Sequence, residues 1–483
     1  ITLTRDNDNG VEYYLFNPNL NGPFHVFYDD ASLQLIKDSF IFLSPLNQLF
    51  VLADRFALMF AGYVNAQTYL QLLYDVLPQI HIKMKHDEIS FAFWRDIINS
   101  LITIDSIFCE YGSPTLYSFQ LEVLLGNEGS ELVDVDKQIL QSFRAFCRDL
   151  LVPVWEMIGQ WSVSSNDTDD IKSLRPYLAS ALVWFNDTAV IEQGSSLLLA
   201  SDGSFDLSAI DRDMVVPVLE AALAYTTTAT STLQWFFENY SNWSNAIQAS
   251  ALRAIGSTYW NESSLEKIVK WIMTDEVDDS EKIYALYSCR RCNGRDMVWK
   301  IIYEDNNGKY WNYLQTLYQN GFLVSDFIQL PNSFASYRMY NQIFSFYSPY
   351  SQTTPANQRP VNQTLELIGV NANWLSSNRY AVNSFLVQNG YIVSSVNGND
   401  GSNGSHSSKA MLAVIISVTI SLAVVVVILV ILLRYWKYKR DVHRYKRHTS
   451  EEHNLSDLSL SDKNPKKRLD KLEEDGSDED DAL

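Results

Sequence analysis

Apolar side chains recur at intervals of roughly three to four residues along most of the chain, which is the spacing of one face of an α-helix. The clearest run follows Ser44, whose hydroxyl can cap a helix that has Pro45 at its first position and Gly62 just beyond its end. We predict an amphipathic helix between these marks. Similar runs predict further helices at 91–101, 139–151, 174–184, 191–199, 215–225, 230–240, 245–255 and 265–273.

The first thirty residues follow a different pattern. Alternating apolar and polar positions at 11–16 and 24–28 predict two strands joined by a turn at 17–22. From Ala31 the helical period takes over, and short polar loops separate the runs. We therefore predict an all-α fold, an irregular superhelical stack of antiparallel helix pairs of the HEAT-like kind. It is preceded by the end of a β-sandwich and followed by one transmembrane helix.

One segment near the C-terminal end is apolar throughout. Residues 410–433 form 24 consecutive positions without a charge, which is enough to cross a bilayer. Basic residues from Arg434 to Arg447 follow, so the positive-inside rule places the tail in the cytoplasm. We predict a flexible Gly/Ser/Asn-rich stalk at 397–409 and a disordered charged tail at 434–483. The expected protein is a single-pass type I membrane protein of the cell surface or secretory pathway, with the lipid bilayer as a partner.

With this topology, every residue before the span lies outside the cytoplasm, where Asn-x-Ser/Thr sequences can carry glycan. No N-terminal signal sequence is evident, so we expect a further N-terminal portion before Ile1. The predicted glycosylation sites are Asn166, Asn186, Asn239, Asn242, Asn261, Asn362 and Asn403.

Charge and cysteine content narrow the classes of partner. The net charge of −20 argues against nucleic acid as a partner. Four cysteines in an oxidising compartment predict disulfides rather than metal thiolates. Cys289 and Cys292 are the expected pair, because they are closest in sequence. Cys109 and Cys147 either pair with each other or remain buried thiols.

The chain shows no recognisable catalytic motif. A zinc peptidase helix needs two histidines four residues apart, with a glutamate after the first, so that both rings face one metal ion. His81 and His86 are spaced differently and are predicted to be surface residues. The sequence also lacks a Gly-x-Ser-x-Gly elbow and a phosphate-binding glycine loop. No residue is predicted as catalytic or as a metal ligand, and no cofactor is expected in this chain.

Three stretches resemble a known family. The string LNGPFHVFYDD, from Leu20 to Asp30, resembles the end of the β-sandwich domain in the aminopeptidase N (gluzincin) family of zinc metallopeptidases. His25 and Phe27 differ from that family's usual Arg and Asn. The string LSPLNQLFVLADRFALMFAGYVNAQTYLQLL resembles the helix that opens the family's C-terminal helical domain, and SLRPYLASALVWFNDTAVIEQGSSLL resembles later helices. The matching hairpin positions are Gly22, Val26, Tyr28 and Asp29.

The resemblance implies a domain plan. Residues 1–30 would end a β-sandwich domain, and residues 31–396 would form the aminopeptidase-like C-terminal helical domain. In that family the catalytic zinc helix lies upstream, in a thermolysin-like domain, so Zn is expected there and not in this chain. The helical domain closes over the catalytic domain and contacts the C-terminal side of a bound peptide, so a peptide substrate is the expected partner.

The function that the resemblance implies is that of the C-terminal, peptide-enclosing part of a membrane-bound zinc aminopeptidase, which removes N-terminal residues from peptides. This chain alone would not be catalytic. The alternative is a non-catalytic cell-surface receptor or adhesion ectodomain that uses the same fold. A homodimer is a candidate assembly for either function.

Overall fold

The computed structural model describes residues 13–20, 22–83, 89–112, 127–258, 261–304, 308–317, 322–353 and 355–392. Within these ranges the secondary structure is helical, which confirms the predicted all-α class. The α-helices are α1 (Asp30–Asp38), α2 (Pro45–Phe60), α3 (Ala66–Lys83), α4 (Phe91–Gly112), α5 (Asn127–Met157), α6 (Asp169–Trp184), α7 (Thr188–Leu197), α8 (Val215–Ala224), α9 (Ala229–Asn239), α10 (Asn245–Ala254), α11 (Glu262–Ile272), α12 (Lys282–Ser288), α13 (Asn293–Trp299), α14 (Lys309–Leu317), α15 (Phe322–Gln329), α16 (Tyr337–Thr353) and α17 (Pro355–Gln388).

Short helical turns complete the list. A π-helical turn, Lys300–Glu304, follows α13 directly. The 3-10 turns are Pro18–Leu20, Phe40–Phe42, Arg212–Met214, Tyr240–Asn242, Ile255–Thr258 and Leu330–Ser333.

Helix α2 has the ends that its sequence predicts. The Ser44 hydroxyl accepts a hydrogen bond from the backbone N–H of Asn47 at 3.4 Å, and Pro45 is the first helical residue. Gly62 has a φ of 79°, a left-handed conformation that glycine adopts without steric cost. The same kind of N-terminal cap begins three later helices, through the side chains of Thr168, Asp187 and Asn261.

The predicted hairpin near the N-terminus is wrong for the part that the structure describes. Residues 13–20 and 22–29 form no β-ladder, and hydrogen bonds between side chains and the backbone join the two stretches instead. The Asn17 amide donates to the carbonyl of Gly22 at 2.8 Å, and the Tyr28 hydroxyl accepts from the N–H of Phe16 at 3.0 Å. Asp54 of α2 holds the segment by accepting a 3.1 Å hydrogen bond from the N–H of Val26.

Helix α8 lies at the centre of the middle helices. It contacts α6, α7, α9 and α10, and its apolar side chains are buried along nearly its whole length. A helix that is buried on nearly all sides needs neighbours on nearly all sides, and these four helices provide them.

Helix α17 connects the end of the described chain to its beginning. Besides α16, it contacts α3, α4 and α5. The Asn378 side chain accepts a 2.7 Å hydrogen bond from the N–H of Ala66, and Arg379 donates to the buried carboxylate of Asp136 at 2.6 Å. In a linear solenoid each repeat touches only its neighbours, so α17 adds contacts that a linear stack alone does not supply.

The predicted stalk, transmembrane segment and tail, residues 397–409, 410–433 and 434–483, lie outside the described residues. Among the helices that are described, none combines the length and the apolar character needed to cross a bilayer.

Candidate functional site

A disulfide joins α4 to the turn before α13. It links Cys109 to Cys292 across 183 residues of sequence. The predicted pairing of Cys289 with Cys292 is therefore wrong in this structure, and Cys147 and Cys289 are buried thiols. Cys292 has a φ of 42°, so the chain turns sharply between the two neighbouring cysteines and their side chains reach different surroundings. Burial raises the pKa of Cys289 to about 12, which keeps it a thiol at neutral pH.

A buried ion pair lies against the disulfide. Asp105 of α4 accepts two hydrogen bonds from Arg144 of α5, at 2.6 Å from Nε and 3.0 Å from Nη2. The same Nη2 atom lies 3.4 Å from the sulfur of Cys292. The indole N–H of Trp184 donates to the same carboxylate at 3.0 Å. A buried bidentate pair with a third donor is well satisfied, and it fixes α4, α5 and α6 to one another.

A second buried pair continues this network one helical turn further along α4. Glu110 accepts hydrogen bonds from Arg295 Nη2 at 3.2 Å, from the N–H of Ala335 at 3.0 Å and from the hydroxyl of Ser336. Arg295 also donates to the carbonyl of Ser333 at 2.8 Å. The pair therefore anchors α13 and the start of α16 to α4.

A third arginine extends the network to α6 and the loop after it. Arg291 donates to the carbonyl of Val183 at 3.5 Å and to the side chain of Asn186 at 3.2 Å. Its guanidinium lies 5.0 Å from the centre of the Trp184 ring. Nearby, burial raises the pKa of Glu220 to about 7, against the lowering influence of a Ser180 hydrogen bond and of Arg291.

Two glycines allow the backbone to pack closely around Cys289. A methyl group on Gly256 would lie 2.2 Å from the carbonyl oxygen of Ser288. A methyl group on Gly294 would lie 2.1 Å from the carbonyl oxygen of Cys289. Both distances are shorter than atoms can approach, so only glycine fits at these positions.

Sequence reasoning missed this network, although one signal for it exists. Asp105 lies on the apolar face of α4, with Leu101 four residues before it and Phe108 three residues after it, and all three are buried. A carboxylate inside an apolar helical stripe needs a buried cation. The sequence does not say which of the arginines supplies it.

The residues present do not fit a peptidase zinc site. The group best placed to hold a metal ion, within the part of the chain that is described, is Asp105 with Cys109 and Cys292. Its two sulfurs are bonded to each other, and the Arg144 guanidinium occupies the carboxylate, so a cation would be repelled.

Of the two histidines that were predicted to be surface residues, the structure describes only His81. His81 is half-buried rather than exposed, and its ring stacks on Trp94 with centroids 5.5 Å apart. Burial lowers the pKa of His81 to about 4, so the ring is neutral at pH 7. His86 lies outside the described residues.

The predicted glycosylation sites differ in exposure. Asn403 lies outside the described residues, and glycosylation of all seven stays a prediction. The Asn186 side-chain oxygen accepts a hydrogen bond from Arg291. The exposed sites are Asn166, Asn242 and Asn362, and the half-buried sites are Asn186, Asn239 and Asn261.

Comparison of the sequence with known proteins identifies a matching family and several relatives. The family model described as "ERAP1-like C-terminal domain" matches residues 13–126 and 127–369. Alanine/arginine aminopeptidase of Saccharomyces cerevisiae is 23% identical over 388 residues, which is 79% of this chain and 40% of that protein. Human glutamyl aminopeptidase is 22% identical over 396 residues, 80% of this chain and 36% of that protein.

A third relative matches a shorter stretch. Aminopeptidase M1 of Arabidopsis thaliana is 28% identical over 114 residues, 23% of this chain and 12% of that protein. The chain therefore spans less than half the length of each of these relatives. The family model covers most of the chain and coincides with the described helices, so the chain belongs to the ERAP1-like C-terminal domain family, the peptidase-associated helical domain of M1 aminopeptidases.

Proposed function

We propose that this chain is the C-terminal helical part of a membrane-bound zinc aminopeptidase, with the catalytic zinc domain encoded upstream of Ile1. The observation that carries the proposal is the family match over residues 13–369, together with relatives that are named as aminopeptidases. The sequence of the chain has no His-Glu-x-x-His helix, so the zinc chemistry belongs to another part of the protein.

In this proposal the helices form an irregular superhelical wall that encloses the peptide substrate. The buried pairs Asp105–Arg144 and Glu110–Arg295, with the Cys109–Cys292 disulfide, support this role because they hold α4, α5, α13 and α16 in fixed positions. A wall of a reaction chamber has to keep its shape while substrates enter and leave. The chain supplies enclosure and no catalytic group.

The apolar segment 410–433 supports membrane attachment in the type I orientation, with the glycosylation sites outside the cytoplasm. Two measurements test this part separately from catalysis. Alkaline carbonate washing of membranes should leave the protein in the pellet, and removal of N-glycans should increase its mobility on a gel. Release by carbonate would contradict the membrane anchor, and unchanged mobility would contradict the glycosylation.

Catalysis is tested on the full-length protein purified from its native membrane. An aminoacyl-p-nitroanilide should be hydrolysed, a zinc chelator should stop the reaction, and added zinc should restore it. A full-length protein that binds cells or ligands but turns over no aminoacyl substrate would favour the receptor or adhesion function instead.

A further inference from the structure

A cavity of about 260 Å³ lies beside the disulfide turn, between α11, α13, the π-helical turn and α16. Asn293, the residue after Cys292, is part of its wall. Drug-sized ligands occupy pockets of roughly 300–1,000 Å³, so this cavity suits a smaller ligand, of the size of an amino acid. Its apolar lining consists of Met297, Trp299, Phe334 and Met339.

The polar lining carries both charge signs. The Asn293 side-chain oxygen is buried, and no group of the described protein donates a hydrogen bond to it. A buried acceptor of this kind favours a ligand with an N–H donor. The acidic side chains of the cavity are Glu262, Asp296 and Glu304, and the basic ones are Lys300 and Arg338.

The walls of the cavity are held in place by contacts already described and by two further ones. Arg295, which binds Glu110, also lies 3.4 Å from the carboxylate of Asp296. The indole N–H of Trp299 donates to Glu304 at 2.7 Å. Glu304 ends the π-helical turn, and such turns occur frequently at functional sites. The carboxylates of Asp296 and Glu304 are therefore positioned before a ligand arrives.

We propose that this cavity binds a free α-amino acid with an apolar side chain, in its zwitterionic form. The ammonium group would meet the Asn293 oxygen and Asp296, the carboxylate would meet Arg338, and the side chain would pack on Met297 and Trp299. A simple amine would offer no anionic group to Arg338, and a simple carboxylate would offer no donor to the Asn293 oxygen. A ligand with both charges and an apolar body matches the polar and the apolar parts of the lining.

An amino acid is also what an aminopeptidase releases from its substrate, so the site would report the accumulation of product. The sensing of product by this site rests on the proposed function, whereas the binding of an amino acid to the cavity does not. The test therefore uses the 483-residue chain alone, in detergent micelles, where no peptidase activity is involved.

The binding experiment is calorimetric titration with L-leucine and three analogues that each lack one feature. Leucine should bind saturably, with a Kd on the order of 1 mM for so small a ligand. Isoamylamine, which lacks the carboxylate, and 4-methylpentanoate, which lacks the ammonium, should each bind at least about tenfold more weakly. Glycine, which lacks the side chain, should also bind about tenfold more weakly. Equal binding of all four compounds, or no saturation by leucine up to about 30 mM, would overturn the proposal.

Variants locate the binding within the cavity. Arg338→Gln and Asn293→Leu should each raise the Kd of leucine about tenfold, because each removes one polar contact to a charged group. Arg253→Gln changes an exposed arginine of α10 outside the cavity and should leave the Kd unchanged. A cooperative unfolding transition in urea would establish that each variant is folded before the titration. Leucine binding that survives both cavity substitutions in folded protein would place the ligand elsewhere and refute the site.

Discussion

Removal of the Cys109–Cys292 disulfide should destabilise the helical domain more than any other change to a cysteine. The bond closes a loop of 183 residues. The chain-entropy relation, ΔS of about −2.1 − 1.5R ln n, gives a stabilisation of about 5 kcal/mol for such a loop. Measured values often fall below this model, so we expect replacement of both cysteines by alanine to cost about 3–5 kcal/mol. That is a large part of the roughly 5–15 kcal/mol of a typical domain.

The assay is urea unfolding of the chain in detergent micelles, with and without a reducing agent. Circular dichroism monitors the loss of helix at each urea concentration. The wild type should lose stability on reduction. Cys109→Ala and Cys292→Ala, singly and together, should unfold at nearly the same urea concentration with or without reductant, because each removes the same bond. Cys147→Ala is the matched control, since it changes a buried thiol and leaves the disulfide intact.

The alternative pairing of Cys289 with Cys292 makes a different prediction. These two cysteines are only three residues apart, so their bond would contribute only about 2 kcal/mol by the same relation. In that case Cys289→Ala would abolish the sensitivity to reductant, and Cys109→Ala would retain it. This pattern of results would refute the pairing in the structure and the network built around it.

Four further substitutions test the packing and the titration of the domain. Gly256→Ala puts a methyl group 2.2 Å from a backbone carbonyl oxygen and should cost about 3 kcal/mol or more in urea unfolding. Gly369→Ala has its nearest neighbour at 3.9 Å within a helix and should be neutral or stabilising by up to about 1 kcal/mol. Arg379→Met leaves the Asp136 carboxylate buried without its cation and should cost about 3–5 kcal/mol, with part of the loss recovered by adding Asp136→Asn. Burial raises the pKa of Glu220 from its ordinary value of 4.5 to about 7, so between these pH values the folded form holds a proton that the unfolded form releases. The stability that this proton contributes declines as pH rises from 4.5 to 7. Glu220→Gln should therefore gain in melting temperature relative to wild type between pH 5 and pH 8, and a constant difference across that range would contradict the raised pKa.

The helices were predictable because their signals are local. Ser44, Pro45 and Gly62 mark the ends of α2 within the sequence itself, and the structure begins and ends the helix at those marks. The predicted run at 215–225 likewise matches α8, Val215–Ala224. Each of these signals acts over one or two helical turns, so a single sequence contains all the information needed.

The pairing of cysteines and charges was not predictable, because it depends on which helices meet. Proximity in sequence favoured Cys289 as the partner of Cys292, but the partner comes from α4. In the same way, the sequence places Asp105 on an apolar face without indicating that Arg144 would cover it. The contact of α17 with α3 joins Asn378 to Ala66, and no local pattern specifies it.

Helix α13 follows the disulfide directly and also lines the cavity. A last prediction therefore connects the loss of the disulfide with the affinity of the cavity for leucine. Cys292 precedes the first residue of α13, and the next residue, Asn293, lines the cavity. Arg295 on the same helix binds both Glu110 and Asp296. Loss of the disulfide should therefore loosen the cavity wall, and Cys109→Ala should weaken leucine binding about tenfold in protein that is still folded. Arg379→Met removes stability from α17 without touching α13, so it should leave leucine binding unchanged. If both variants weakened binding in proportion to their loss of stability, the effect would come from general unfolding and not from the shared helix.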